Sequence, residues 1–220
     1  MIQNFLSIFA NWETIAWGLL TTLWICALSA VISFFIALVA VIVIKGGNRY
    51  TNTVLRLIVD TLRSIPFLLL LFLIYYCLPH LGLRMSAWTC GLIAMTAYNA
   101  AYFIEIMRGA WAHFGHEQEE TGYAFGFYGL RLYKHIVFPQ ILITSAPMLG
   151  NQLITLVKNS AFLMVITIPE LTFVSNQLQA MYFFPLEMMF IAILLYWSIC
   201  LAIEALVRKA GRIALVRGSQ

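Results

Sequence analysis

The chain has 220 residues, 62% of them hydrophobic and only 10% charged, far below the roughly 25% charged residues of a soluble domain. That balance excludes a soluble enzyme and points to an integral membrane protein. The net charge of +4 does not describe a nucleic-acid surface, because the basic residues fall in clusters between apolar runs.

Residues 14–44, 64–83, 85–104, 135–157 and 188–203 contain no Asp, Glu, Lys or Arg. A transmembrane helix needs about 20 apolar residues, so five spans are expected, near 14–44, 57–79, 86–108, 141–165 and 186–207, in a single domain over 1–220. The first run exceeds the 7–15 apolar residues or so of a signal peptide, and no basic segment precedes it. It is therefore read as the first span. Trp12, Trp17, Tyr75, Tyr76 and Trp88 suit an outer aromatic belt. Pro66 and Pro79 bracket the second apolar core, where the helix should kink or end. Cys26, Cys77, Cys90 and Cys200 sit in apolar runs without metal or redox spacing and read as small buried hydrophobes.

Lys45, Arg49, Arg56 and Arg63 follow the first span, Arg108, Arg131 and Lys134 surround the third loop, and Arg208, Lys209, Arg212 and Arg217 close the chain. Placing these on one side leaves Arg84 on the other and Lys158 within a hydrophobic segment. The positive-inside rule then sets the N-terminus outside and the C-terminus in the cytoplasm.

The third loop, residues 115–139, is a polar island reading GHEQEETGYAFGFYGLRLYKHIVFP. A short helix is expected over Glu117–Phe125, stopped by Gly126, with a second over Leu130–Phe138 ended by Pro139. An amphipathic helix on lipid headgroups would suit this loop less well, since its three glutamates would face an anionic leaflet. The pattern is that of a plug for a partner, with Tyr123, Phe125, Phe127 and Tyr128 at the bend.

The island resembles the cytoplasmic coupling loop of ATP-binding-cassette (ABC) transporter permeases, whose signature is Glu-Ala-Ala, three residues, Gly, nine residues, Ile, one residue, Leu-Pro. Glu120, Gly126, Ile136 and Pro139 match in identity and spacing, and Gln118 and Ala124 sit where polar-amino-acid permeases carry Gln and Ala. Thr121 and Gly122 replace the two alanines, and glycine inside a helix costs about 1 kcal/mol relative to alanine. Further motifs agree with that subfamily: Arg63-Ser64-Ile65-Pro66, Ala101-Tyr102 with Glu105, Arg108 and Gly109, Pro147 with Asn151, Ile154, Lys158, Asn159 and Ser160, and Pro169-Glu170-Leu171. Leu70 stands where the subfamily has Gln, and Lys158-Asn159-Ser160-Ala161-Phe162 where it has K-D-T-S-L.

The resemblance implies an all-α membrane domain of the type I importer fold in a bacterial inner membrane, carrying a polar amino acid or close derivative. It also implies a second permease chain (a copy or a paralogue), two ABC ATPase subunits and an extracytoplasmic solute-binding protein. No G-x-x-x-x-G-K-[ST] loop is present, so this chain is expected to bind no cofactor, with ATP and Mg held by the ATPases. Gln118, Glu120, Tyr123, Phe125, Gly126 and Phe127 are then the coupling residues. Arg63, Pro66, Glu105, Arg108, Pro139 and Glu170 are structural motif positions.

Lys158 is a functional candidate by virtue of its apolar surroundings. It lines the translocation path with Asn151, Asn159 and Ser160, or it snorkels to an interface, or it pairs structurally with Glu105 or Glu170. Asn99 is a weaker path candidate, since a lone Asn also serves to bond a neighbouring helix. His80, His113, His116 and His135 share no metal-ligand spacing. The competing readings are an ABC permease for another small solute, or an ion-driven carrier or channel. An intramembrane enzyme would need a paired Asp, a Ser/His set or a His-Glu motif, and no span carries one.

Overall fold

A computed structural model describes residues 11–113, 116–183 and 185–218; Gly115, at the start of the polar island, lies outside them. Among these residues the architecture is all-helical. Helices α1 (Trp12–Gly46), α2 (Arg49–Ser64), α3 (Phe67–His80), α4 (Ala87–Ala112), α5 (His116–Ala124), α6 (Phe138–Ser160), α7 (Leu171–Tyr182) and α8 (Pro185–Gly218) follow in chain order. Four helical stretches are long and apolar enough to cross a membrane, and α2 with α3 makes a fifth candidate as a bent pair.

That pair departs from the expected span over 57–79. The α2 and α3 axes differ by 106°. Pro66 has no N–H to donate and opens α3 as its cap, while the Ile65 N–H still bonds back to the Thr61 carbonyl. On the N-terminal side, α2 carries its own start signal, the Asn48 side chain accepting from the Thr51 N–H at 2.8 Å. Residues 57–64 thus belong to an amphipathic helix that buries Val59 and exposes Tyr50, Leu57 and Ile58.

Helix α1 packs most extensively on α4. Its inward stripe is small: Gly18, Thr22, Cys26, Ser29, Ser33 and Ala37 are all buried. On α4, Gly91, Ala94, Ala100 and Ala101 are buried in turn. Small side chains let two helices approach where lipid supplies no hydrophobic drive to associate. The outer faces of α1 and α8 present Trp17, Leu20, Trp24, Phe35, Phe190, Ile193 and Trp197, as lipid-facing helices do. Cys26 and Cys90 are buried as expected, but Cys77 is exposed, because it falls on the outer side of α3.

Two prolines are accommodated in the same way. Pro79 and Pro139 each follow a widened π-type turn, Leu73–Cys77 and Tyr133–Val137. A proline ring clashes with the carbonyl four residues earlier, and a π turn moves that carbonyl away. The second expected island helix is therefore not separate. Leu130–Leu132 runs through the π turn into α6, and Pro139 sits in the first turn of α6 instead of ending a helix.

Candidate functional site

Helix α5 ends as its glycine pattern requires. Gly126 has φ +78°, the Phe127 N–H bonds the Gly122 carbonyl at 3.0 Å, and the Gly126 N–H bonds the Tyr123 carbonyl at 3.0 Å. This is the Schellman closure, which glycine at the left-handed position makes inexpensive. Gly122 is buried against the start of the next segment. A methyl group there would overlap Leu132 and lie 2.8 Å from Ile136 Cδ1. The replacement of alanine by glycine thus has a packing reason, since Leu132 and Ile136 would have to shift to admit a methyl group.

The island displays an unfilled aromatic face. Phe125 is 77% exposed, Tyr123 and Tyr128 are exposed, and their two rings lie 5.6 Å apart. Gln118 and Glu120 are also exposed, and Glu120 makes no ion pair among the described residues. Phe127 turns the other way, packing half-buried against the core cluster of Met107, Trp111 and Val137. Glu119 is not among the coupling residues expected from sequence, yet it ties α5 to the bundle. Its carboxylate lies 3.3 Å from Lys45 Nζ and accepts from Trp111 Nε1 at 3.3 Å, and Lys45 stands over the Trp111 ring at 5.5 Å. Sequence spacing offered no signal for this latch, because its cation sits at the far end of α1.

Four motif residues form one clamp between α2 and α4. Arg108 donates to both Glu105 oxygens at 2.8 and 2.7 Å, and Arg63 approaches Glu105 at 3.8 Å and Asp60 at 3.7 Å. The Arg63 guanidinium also lies 5.4 Å from the Tyr102 ring centroid, and the Tyr102 hydroxyl donates to the Arg63 carbonyl. Two separated motifs therefore meet just before the Pro66 bend.

Glu170 is wholly buried. Its carboxylate caps α7 by accepting from the Thr172 and Phe173 N–H groups at 2.8 and 2.7 Å, and Tyr196 donates to it at 2.7 Å. Neither it nor Glu105 pairs with Lys158. Lys158 is exposed and makes no ion pair among the described residues. Asn151 shares its face, together with Thr144 and Thr155, also exposed; spacings of 7, 4 and 3 residues put all four on one helical stripe.

The other path candidates lie elsewhere. Asn99 is fully buried and accepts from Gln152 Nε2 at 3.2 Å, joining α4 to α6. Ser160 is buried and donates to the Val157 carbonyl, and Asn159 is half-buried.

Comparison with known proteins follows from this geometry. Residues 29–212 match the model of the binding-protein-dependent transport system inner membrane component family. The chain is 27% identical to the probable glutamine ABC transporter permease protein GlnP of Bacillus subtilis, over 87% of this chain and 89% of that protein. It is 30% identical to the probable amino-acid ABC transporter permease protein y4tG of Sinorhizobium fredii, over 70% of this chain and 67% of that one. Its fold superposes on a solved amino acid ABC transporter with histidines at a TM-score of 0.85 and 25% identity, covering 94% of this chain and 97% of that one. With a family model matched over most of the chain and a fold shared with a solved amino acid ABC transporter, this chain belongs to the family of binding-protein-dependent transport system inner membrane components, the permease subunits of ABC importers.

Proposed function

We propose that this permease forms, with a second permease chain, the path of a polar amino acid or close derivative into the cytoplasm. The observation that carries the reading is the α6 stripe of Thr144, Asn151, Thr155 and Lys158, which is exposed although it lies within a membrane-spanning helix. An unpaired ammonium facing hydrocarbon costs about 2.5–3.5 kcal/mol even on insertion scales. A water-filled path completed by the second chain removes that cost. The names of the relatives, a probable glutamine and a probable amino-acid permease, support the substrate class.

Energy comes from two ABC ATPase subunits that hold ATP and Mg, and solute from an extracytoplasmic binding protein. Tyr123 and Phe125 enter a groove on the ATPase, with Glu120 and Gln118 meeting polar groups at its rim. Buried aromatics concentrate the energy of such interfaces. Closure of the ATPase dimer carries α5 with it, and the Glu119–Lys45 latch and the close Gly122 packing pass that displacement to α1 and α6. The spans then rock as rigid bodies between inward- and outward-facing states. Clustering of Lys45, Arg56, Arg108 and Arg131 near α5 supports a cytoplasmic position for that end.

Sided membrane vesicles test docking and orientation together. Purified ATPase subunits should co-sediment with inside-out vesicles containing the chain and not with right-side-out ones. Phe125→Ala should weaken that binding by about tenfold, the scale of one buried aromatic anchor. Equal binding to both vesicle types, or binding indifferent to Phe125, contradicts the coupling role.

A further inference from the structure

Where the end of α1, the helix α2 and the end of α4 meet beside α5, the structure forms an open-sided cavity of about 280 Å³. Lys45, Arg56 and Arg108 line it against one carboxylate, Glu119, and Ile44 and Trp111 supply an apolar wall. The cations are not equally committed. Lys45 pairs with Glu119 and Arg108 with Glu105, whereas Arg56 is exposed and has no ion-pair partner among the described residues. The lining therefore carries excess positive charge and one unoccupied guanidinium, whose planar donors suit a phosphate.

We infer that this cavity binds the phosphate headgroup of an anionic phospholipid. Free phosphate has the same donor requirements, and the surroundings decide between the two sources. The cavity lies where spans α1 and α4 end, the depth at which headgroups sit. Beside it, α2 exposes Tyr50, Val54, Leu57 and Ile58, an apolar face suited to the headgroup boundary. Apolar residues on the cavity wall suit the glycerol and upper acyl carbons attached to such a phosphate, and offer nothing to a free ion. Basic pockets between spans are the usual form of headgroup recognition. Bound there, the lipid touches the ammonium and guanidinium groups that anchor α5 and clamp α2, so membrane composition reaches the coupling helix directly. The inference rests on the membrane-spanning fold alone and needs no particular substrate or orientation.

Native mass spectrometry of the full-length chain, released from detergent with phosphatidylglycerol and phosphatidylcholine at equal concentration, tests it. One phosphatidylglycerol should persist where phosphatidylcholine is lost, and excess inorganic phosphate should not displace it. Arg56→Gln should lower the apparent phosphatidylglycerol affinity about tenfold, the scale of one charge-assisted hydrogen bond. Arg56→Lys should lose less. Arg49→Gln, on the same helix but outside the cavity lining, should bind as the unaltered chain does. Equal retention of the two lipids, displacement by free phosphate, an unchanged Arg56→Gln or an equal loss in Arg49→Gln each overturns the assignment. Since Arg56 is exposed and has no ion partner among the described residues, its variants should fold, and the comparison of lipids on the unaltered chain decides the matter without them.

Discussion

Lys158 shows how far one residue can be read before its surroundings are known. A lone ammonium inside an apolar run marks it in the sequence, but the choice between a path residue and half of a buried pair depends on where Glu105 and Glu170 point. Glu105 is taken by Arg108 and Arg63, and Glu170 by the start of α7 and Tyr196. A free cation facing the path would attract the carboxylate that every amino acid carries. Lys158→Met keeps length and apolar bulk while removing the charge. We expect normal assembly and basal ATP hydrolysis, with uptake lowered about tenfold or more, the scale of one charge-assisted contact. A variant that assembles poorly, or transports as before, would remove Lys158 from the path. Asn99 is the opposite case. Its residue type suggested a polar lining, while its position, fully buried and bonded to Gln152, makes it a strut between two spans.

At the scale of elements, legibility followed the range of the governing interaction. The end of α5 at Gly126 was readable because a Schellman closure is local. Likewise the bend at Pro66 follows from the missing N–H of one residue. The supposed break at Pro139 was not readable, since whether a proline ends a helix depends on the geometry of the turn before it, and the Tyr133–Val137 turn widens to admit it. Latching of α5 by Glu119 was invisible for another reason, as its partners come from α1 and α4. Packing between α5 and the segment that follows it makes a direct prediction. Gly122→Val drives a Cβ and its two methyl groups toward Leu132 and Ile136, and overpacking of that kind costs about 1–3 kcal/mol. The apparent melting temperature of the detergent-solubilised chain should fall by several degrees, at about 2–4 °C per kcal/mol. Gly109→Ala, in open space on α4, should leave it unchanged or slightly raised. If Gly122→Val melts with the unaltered chain, the close approach is not what holds α5.

For the whole molecule, composition was the strongest signal and substrate the weakest. Few charges and long apolar runs were enough to read an all-helical membrane domain, because the bilayer leaves helices as the available solution for such runs. The family came from the resemblance of the island and the other motifs to those of ABC permeases. In the proposed reading, what it carries is set by a surface that this chain forms together with a second permease chain, so a single sequence holds only part of that information. The central claim is that transport of an amino acid through this chain is driven by ATP hydrolysed on separate subunits. Its most direct test is radiolabelled amino-acid uptake into proteoliposomes holding the permease pair and its ATPases, with binding protein supplied on the opposite side. Accumulation should require ATP, the ATPase subunits and the binding protein together, and should stop when any one is omitted. Accumulation driven by an ion gradient without the ATPases, or an ATP-driven flux that excludes every amino acid while carrying another solute, would contradict the account.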